Sequence, residues 1–241
     1  QERGGISRHD AVAWAYARQA SAAGVDIVQQ CEVTAMECTD NRVLALHTSR
    51  GRISADRFAL CVAGHSGALA AMAGLRLPIT TIALQAMVTE PLRPIFHTVM
   101  MSARVHVYVS QSDRGEIVIG GGADPLNSYA QRGSLDTHLH NLAALVELLP
   151  MFSRLRMLRH WAGSCDMAYD VSPIVGKTPL ENLYVSTGWG TGGYKAIPAG
   201  GDTLAWTIAH DRPHDLIRPF QLDRFASGRL LDEGAASGVA H

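Results

Sequence analysis

The sequence predicts a mixed α/β fold of the α+β type, with helix-flanked strands in its first and last thirds and an antiparallel sheet between them. A continuous apolar run at residues 57–62 is typical of a strand buried on both faces, and a glycine turn and a helix follow it. From about residue 75, strand-like segments follow one another, which indicates an antiparallel sheet. Near the end, the strand-like run 183–185 leads into a segment with four glycines in eight residues, 188–195.

Composition excludes several classes of function. Of the 241 residues 47% are hydrophobic, so the chain can bury a sizeable core. Charged residues make up 18% and the net charge is −1, which argues against nucleic-acid and membrane-surface partners because both need a basic patch. No apolar run reaches the roughly 18 residues that span a bilayer. The cysteines form no CxxC pair and are predicted to be buried, reduced thiols of a cytoplasmic protein. No metal site is predicted, since no cluster has metal-ligand spacing.

The first predicted element is an alanine-rich helix over residues 11–23. Ser7 and Asp10 have the spacing of a capping box, with Ser7 as N-cap, and Gly24 is expected to end the helix. His9 then lies in the first turn, where the helix dipole favours a neutral, nucleophilic imidazole. The alternative is an exposed histidine with no role.

The remaining elements follow from apolar periodicity and from turn residues. A short strand is predicted at 25–28 and a three-stranded antiparallel meander follows it. The antiparallel sheet contains a hairpin with its turn at residues 111–115. A helix follows, ends at Pro150, and precedes the last strand of the sheet. A final helix is predicted at 202–209, and the tail from Pro219 is predicted to be irregular. The meander strands are 32–36, 42–48 and 53–55; the sheet strands are 79–90, 99–101, 105–110, 116–119 and 158–168; the helix before Pro150 is 137–149.

The glycine-rich segment 188–195 has two interpretations. Glycine lets a backbone approach a flat or charged group closely, and Lys195 supplies one positive charge, so the segment could cradle a cofactor and bind an anionic substrate. It could equally be a turn between a strand and a helix with a surface lysine. No dinucleotide-binding fingerprint, which is a G-x-G-x-x-G within a βαβ unit, is predicted.

Taken in order, the motifs resemble the flavin amine oxidases of the D-amino-acid oxidase/sarcosine oxidase superfamily. Those that carry the resemblance are GVDI (24–27), CVAG (61–64), WAG (161–163), DVSPIVG (170–176), NLYV (182–185) and GWGTGGYK (188–195). Within the superfamily the chain is most similar to the β-subunits of heterotetrameric sarcosine oxidases, through RHDAVAW (8–14) and the tail from LDRF (222–225) to VAH (239–241). The resemblance covers essentially the whole chain. It implies the FAD-dependent oxidoreductase two-domain fold and a C-terminal fragment that lacks the N-terminal βαβ unit.

The resemblance also implies a division into domains. Residues 1–75 and 165–225 correspond to two parts of the FAD-binding domain, and residues 76–164 to the antiparallel substrate domain. Residues 226–241 correspond to a C-terminal tail.

The site residues are carried over one by one from the family. The resemblance implies that Lys195 binds the substrate carboxylate together with an arginine from the missing part, and that the Thr191 carbonyl accepts from the substrate amine. Tyr108 is a further candidate for lining the substrate pocket. His9 matches a histidine that carries a covalent FMN, bonded through its ring nitrogen to the flavin 8α-methyl group. The residues implied to contact a non-covalent FAD are Val33, Ala63, Gly64, Gly188, Gly190, Thr191, Gly192, Gly193, Tyr194 and Lys195.

The implied activity is oxidation of sarcosine to glycine and formaldehyde, or to methylenetetrahydrofolate when folate is present. Hydride passes to FAD, electrons pass to FMN, and oxygen is reduced to hydrogen peroxide. Val118 stands where monomeric relatives carry an oxygen-activating lysine, which agrees with oxygen reacting at the second flavin instead. The implied partners are α, γ and δ subunits, with NAD and tetrahydrofolate sites on those chains. Two alternatives stay open: the β-subunit of a related glycine, opine or dimethylglycine oxidising complex, and a truncated piece that binds no FAD alone.

Overall fold

The structure, a computed structural model, describes residues 6–95 and 97–231. In these residues it contains three sheets and five α-helices. The strands are β1 (Val33–Cys38), β2 (Val43–Thr48), β3 (Gly51–Ser54), β4 (Phe58–Leu60), β5 (Ile79–Pro91), β6 (Met100–Ser102), β7 (Val107–Gln111), β8 (Glu116–Ala123), β9 (Met157–Ala168), β10 (Ile174–Lys177) and β11 (Leu183–Thr187). The helices are α1 (His9–Ala22), α2 (Ser66–Met72), α3 (Leu135–Leu148), α4 (Gly193–His210) and α5 (Arg224–Ser227).

The first sheet is the predicted meander, with antiparallel strands in the order β1-β2-β3. Asn182, just before β11, joins it to the end of the chain. The Asn182 side chain accepts a hydrogen bond from the Val43 amide at 2.9 Å and donates one to the Val43 carbonyl at 2.8 Å. Because the buried amide is fully paired in this way, the meander and the C-terminal strands are held in one register.

The second sheet has the order β10-β11-β4, and β11 and β4 run parallel. Parallel neighbours end at the same edge of a sheet, so the turn after β4 and the glycine-rich segment after β11 leave from one edge. This pairing brings together two segments more than a hundred residues apart. The expectation that residues 57–62 are buried on both faces is wrong: Phe58 and Leu60 are buried but Ala59 between them is exposed, because β4 is an edge strand of the described sheet and α4 packs over β10 and β11.

The third sheet is antiparallel throughout, in the order β6-β7-β8-β5-β9, as the strand-after-strand pattern predicts. Helix α3 packs on one face of it over a buried apolar cluster. The cluster consists of Met87, Val107, Val109, Ile117, Ile119, Ala144, Leu145 and Phe152. The alternation of strand side chains therefore leaves Tyr108, between Val107 and Val109, on the opposite face.

The N-terminal helix forms as predicted, but its capping box does not. The N-cap is Arg8 and makes no side-chain capping bond, while Asp10 turns back to accept two hydrogen bonds from the Arg8 guanidinium. Gly24 ends the helix with a φ of +88°, as expected of a C′ glycine. Residues 25–28 are not a strand, because no described strand lies beside them to complete the hydrogen bonds.

The last predicted helix begins earlier than expected. Helix α4 starts at Gly193 rather than near residue 202 and includes Pro198, so the end of the glycine-rich segment is helical. The reason is tertiary packing: a Cβ at Gly193 would lie 2.7 Å from Trp189 Cβ, and one at Gly200 would lie 2.9 Å from Trp189 Cζ2. The indole needs both glycines on one helix face, and this contact outweighs their low helix propensity.

The tail is more ordered than predicted. A 3₁₀ helix spans Asp215–Phe220 and α5 follows it, with Arg224 buried. Residues 232–241 of the predicted tail lie outside the described residues, and the predicted domain boundaries stay a prediction.

Candidate active site

A cavity of about 820 Å³ lies between the face of the large sheet opposite α3 and the start of α4. Its walls come from the turn after β4, from strands β5, β7 and β9, and from the segment between β11 and α4. The predicted site residues that line it are Ala63, Tyr108, Gly188, Gly190, Thr191, Gly193 and Tyr194. Ala63 and Tyr194, 131 positions apart in the sequence, thus line the same cavity. The parallel pairing of β4 with β11 brings them together.

The turn after β4 lies directly against strand β9. Gly64 has a φ of +83°, and a Cβ on it would lie 2.5 Å from the Ser164 Cβ. No other residue fits there without displacing the turn. The hydroxyls of Ser164 and Ser66, at this turn, are buried and have no hydrogen-bond partner among the described residues. Buried polar atoms normally have partners, so two orphan hydroxyls at one turn favour a polar ligand.

The opposite wall is fixed by Trp189. Its indole N–H donates to Ser186 Oγ at 2.9 Å, and its backbone forms a β-bridge with Met167. Gly188 precedes it with a φ of +69°, and a Cβ there would lie 3.0 Å from the Ala168 Cβ. The backbone of this segment is therefore held close to the end of β9, and Gly188, Gly190 and Gly193 present backbone to the cavity. The predicted loop is in fact a strand end, the 3₁₀ turn Gly190–Gly192 and the first turn of α4.

Tyr108 occupies the sheet wall of the cavity. It pairs with Gly120 of β8, and a Cβ on Gly120 would lie 2.4 Å from the Tyr108 hydroxyl oxygen, so the ring lies over that glycine. Burial raises the pKa of Tyr108 above its ordinary value. The residue therefore presents a protonated hydroxyl, able to donate a hydrogen bond, over the neutral pH range. Val118 alternates with Gly120 along β8 but does not line the described cavity.

Five predicted residues lie off the lining: Lys195, Gly192 and Gly64 next to it, and Val33 and His9 further away. Lys195 is exposed in the first turn of α4, between Tyr194 and Ala196, which both line the cavity. That turn contains no acidic residue, and no ion pair of Lys195 falls within the described residues. A cation at the positive end of a helix is unfavourable, so the site as described favours an anion close to Lys195.

His9 is the first residue of α1 and is exposed. Two residues earlier, the Ser7 hydroxyl lies 2.8 Å from the Tyr194 hydroxyl. This contact brings the start of α1 to the cavity wall, although the sequence alone gives no sign of it.

Sequence analysis missed a buried carboxylate in the cavity wall. Asp166 is 3% exposed and accepts hydrogen bonds from the Thr81 hydroxyl at 2.7 Å and the Thr187 hydroxyl at 2.9 Å. Its partners lie 85 and 21 residues away, so no local pattern could have indicated it. The three side chains tie β5, β9 and β11 together beneath the cavity.

The cysteines also differ from expectation. All four are free, but none is fully buried, and Cys61 and Cys165 line the cavity. Cys61 is exposed because it follows the end of β4 at the cavity edge. Burial, together with the negative charge of Asp166, raises the pKa of Cys165 to about 11, so it remains a thiol and is not a nucleophile at neutral pH.

A second missed feature is a buried ion pair behind the site. Arg224 donates to both oxygens of Asp170, at 2.7 and 2.8 Å, and to the Ser172 carbonyl at 2.8 Å. Burial raises the pKa of Asp170, but the hydrogen bonds and charge of Arg224 outweigh it and hold the pKa below the ordinary value. The pair fixes the segment before β10 to the tail.

The comparisons with known proteins agree with this geometry. The family model described as FAD dependent oxidoreductase matches residues 1–206. The chain belongs to this family. Over all 241 residues it is 51% identical to sarcosine oxidase subunit beta of an Arthrobacter species and to that of Rhodobacter capsulatus, of which it spans 60% and 58%. The resemblance drawn from the sequence motifs is thereby confirmed, and the chain spans about three-fifths of these relatives' length.

Solved structures of the same fold confirm the predicted fold class. L-proline dehydrogenase from P. horikoshii superposes with a TM-score of 0.81 at 23% identity, over 90% of this chain and 59% of that one. Glycine oxidase from Geobacillus kaustophilus gives a TM-score of 0.76 at 21% identity, over 88% and 57%. At these identities the likeness concerns the fold alone.

Membrane-spanning helices and clustered metal ligands are both absent from residues 6–95 and 97–231. No helix there is long and apolar enough to cross a bilayer. The same residues contain no group of three or more His, Cys, Asp or Glu side chains placed to hold a metal ion.

Proposed function

We propose that the chain is the FAD- and substrate-binding part of a sarcosine oxidase β-subunit. The observation that carries the proposal is the cavity itself: a glycine-rich wall faces an antiparallel sheet, and predicted cofactor residues from both halves of the chain line it. The identity of 51% to two sarcosine oxidase β-subunits supports the same assignment. Because the chain spans about three-fifths of their length, the activity belongs to the full-length protein.

The residues present fit FAD. The turn after β4 has no room for a side chain at Gly64, and the unpartnered hydroxyl of Ser164 lies on the cavity wall, where a polar cofactor group can use it. Residues 190–194 supply backbone amides and apolar surface on the other wall. Bound there, FAD supplies the two-electron oxidation of the amine. Val33 of β1 is proposed to contact the more distant, adenosine end of the cofactor.

The substrate is proposed to bind beside the first turn of α4. Lys195 holds the carboxylate of sarcosine, which relieves the unfavourable placement of a cation at a helix N-terminus. The Thr191 carbonyl accepts from the amine and fixes its orientation. Tyr108 donates a hydrogen bond from the sheet side and, because its pKa is raised, does not ionise when an anionic substrate enters. The apolar side chains Trp161 and Leu84 reduce access of water.

His9 is proposed to carry a covalent FMN. It is exposed at the start of α1, so a flavin and a partner subunit can both reach it, and the arginine–carboxylate pair of Arg8 and Asp10 frames it. The apolar Val118 in β8 agrees with oxygen being reduced at this second group to hydrogen peroxide. The α, γ and δ subunits are proposed to complete the enzyme in the cytoplasm, with tetrahydrofolate and NAD bound on those chains.

The test of the two-flavin assignment uses the full-length subunit in its native assembly. After acid denaturation FAD is released, and one flavin remains on the proteolytic peptide that contains His9. His9→Ala should abolish the covalent flavin while FAD is retained, and His210→Ala, at the far end of α4, is the matched control. A His9 peptide free of flavin in the native enzyme would contradict the assignment.

The related glycine, opine and dimethylglycine oxidising complexes remain the second candidate. The cavity of this chain fits a small amino acid of any of these classes, so the order of substrate preference is what separates them from sarcosine oxidase. The likeness of the fold to glycine oxidase does not favour glycine, because the identity is 21%.

A further inference from the structure

The start of α1 is connected to the cavity wall by one long-range side-chain contact. The hydroxyl oxygens of Ser7 and Tyr194 lie 2.8 Å apart, and either group can donate. The two residues are separated by 187 positions in the sequence. Tyr194 lines the cavity, and His9 follows Ser7 by two residues, so this hydrogen bond joins the two predicted flavin sites.

Packing on the described residues does little to fix α1. None of its residues is buried, and Trp14 and Tyr16 are 62% and 50% exposed. The ion pair of Arg8 with Asp10 lies within the segment and fixes nothing to the rest of the chain. Because helices in proteins are held mainly by packing of an apolar face, a hydrogen bond at the first turn has a large influence on where His9 lies.

Tyr194, by contrast, is on a firmly held backbone. It follows Gly193, which packs directly against the Trp189 side chain, and Trp189 is itself fixed to Ser186 and Met167. A tyrosine on a fixed base can therefore hold the more weakly packed helix.

We propose that Tyr194 is a positioning residue, which holds the start of α1, and with it His9, against the cavity wall through its hydrogen bond to Ser7. The inference rests on the proposed function, in which the cavity binds FAD and His9 carries a second flavin. Loss of either hydroxyl leaves the backbone of the cavity wall in place but frees the first turn of α1 from that wall. Attachment of the second flavin and electron exchange between the two groups should then suffer. Loss of the Ser7 hydroxyl, which lies outside the cavity lining, should leave oxidation of the substrate at the first flavin unchanged.

The test compares Tyr194→Phe, Ser7→Ala and the double variant in the full-length assembled enzyme. The control is Tyr169→Phe, which removes a hydroxyl from a tyrosine that is 64% exposed and does not line the cavity. Three quantities are measured: the fraction of the His9 peptide that carries flavin, the rate of anaerobic flavin reduction by sarcosine, and deuterium exchange of residues 6–22.

Each single variant should lower the flavin-bearing fraction about two- to tenfold, the range expected for one hydrogen bond, and should speed deuterium exchange. The double variant should do no more than either single one, since both remove the same bond. Reduction by sarcosine should match wild type in Ser7→Ala, which removes the same bond from outside the cavity lining, and in the Tyr169→Phe control.

Two outcomes would overturn the proposal in different ways. In the first, wild type carries flavin at His9, and both single variants match it in flavin content and deuterium exchange, or the losses of flavin in the two single variants add in the double variant. The positioning role is then wrong and the proposed function stands. If wild-type His9 carries no flavin, the two-flavin assignment fails and the positioning role falls with it.

Discussion

Lys195 is the residue on which substrate recognition depends most in the proposed site. It and Lys177 are the chain's two lysines, which gives a matched pair. Lys195 lies at the positive end of α4 beside the cavity without a described ion pair, whereas Lys177 donates to Asp211 at 2.7 Å, outside the cavity lining.

Lys195→Met should raise the KM for sarcosine about 10- to 150-fold, because a charge-assisted hydrogen bond is worth about 1.5–3 kcal/mol. Steady-state kinetics of the full-length enzyme measure this, and Lys177→Met should leave KM unchanged. A Lys195→Met enzyme with the wild-type KM would mean that the lysine is only a surface residue.

Alanine substitutions at Gly64 and Gly74 distinguish the effect of steric overlap from the effect of backbone strain. Both have positive φ, +83° and +71°, but a Cβ on Gly64 meets the Ser164 Cβ at 2.5 Å, whereas one on Gly74 meets nothing within 4 Å. Gly64→Ala should therefore displace the turn after β4 and weaken FAD binding. Gly74→Ala should show only the roughly 1–2 kcal/mol of conformational strain.

The two quantities to measure are the FAD dissociation constant and the thermal unfolding midpoint of the full-length subunit. We expect both variants to lower the midpoint and only Gly64→Ala to release FAD more readily. Equal FAD affinity in the two variants would show that the turn does not contact the cofactor.

Among the elements, the tail helix α5 has an unexpected structural role. The side chains of Arg224 and Asp170 are 3% and 2% exposed, so removing the arginine leaves a buried carboxylate without a partner. Arg224→Met should cost roughly 3–5 kcal/mol of stability. The control, Arg229→Met, removes an ion pair with Asp223 in which both side chains are largely exposed, and should shift the unfolding midpoint little.

The pair also predicts the sign of a pH dependence. The folded-state pKa of Asp170 is lowered, so its contribution to stability is fully present above about pH 4, the unfolded value, and is lost as pH falls through the folded value. Urea unfolding midpoints of wild type and Arg224→Met should therefore converge on acidification. A difference that stays constant down to about pH 2 would contradict the assignment.

Elements with local signals could be predicted from the sequence. The meander, the antiparallel sheet, the α1 helix and its terminal Gly24 follow from periodicity and turn residues close in the chain. The start of α4 could not, because it depends on Trp189 packing against two glycines of the following helix. Asp166 and Arg224 escaped prediction for a different reason: their partners are distant in sequence and meet them only in the fold.

For the site, motif resemblance located the residues and the structure showed which of them meet. Seven predicted residues line one cavity. Lys195 directly follows Tyr194, which lines the cavity. The start of α1, which carries His9, is joined to Tyr194 by a hydrogen bond across 187 residues.

Across the molecule as a whole, the described residues form walls on two sides of the cavity. In addition, α1 and residues 25–28 expose apolar side chains. Trp14, Val25, Ile27 and Val28 are each more than half exposed. We therefore expect the isolated 241-residue chain to bind FAD weakly, because further surface must cover these groups and the cofactor. Equilibrium dialysis of the refolded chain measures this, and a stoichiometric yellow complex would contradict the expectation.

The proposed activity of the assembled molecule is oxidation of sarcosine in the cavity through a bound flavin. Its sharpest test is anaerobic addition of sarcosine to the full-length assembled enzyme while the visible flavin absorbance is followed, with glycine, dimethylglycine and an opine in parallel. We predict that sarcosine bleaches the flavin fastest and that Lys195→Met slows bleaching at low sarcosine concentration. A flavin that sarcosine leaves oxidised while one of the other amines reduces it would contradict the proposed activity.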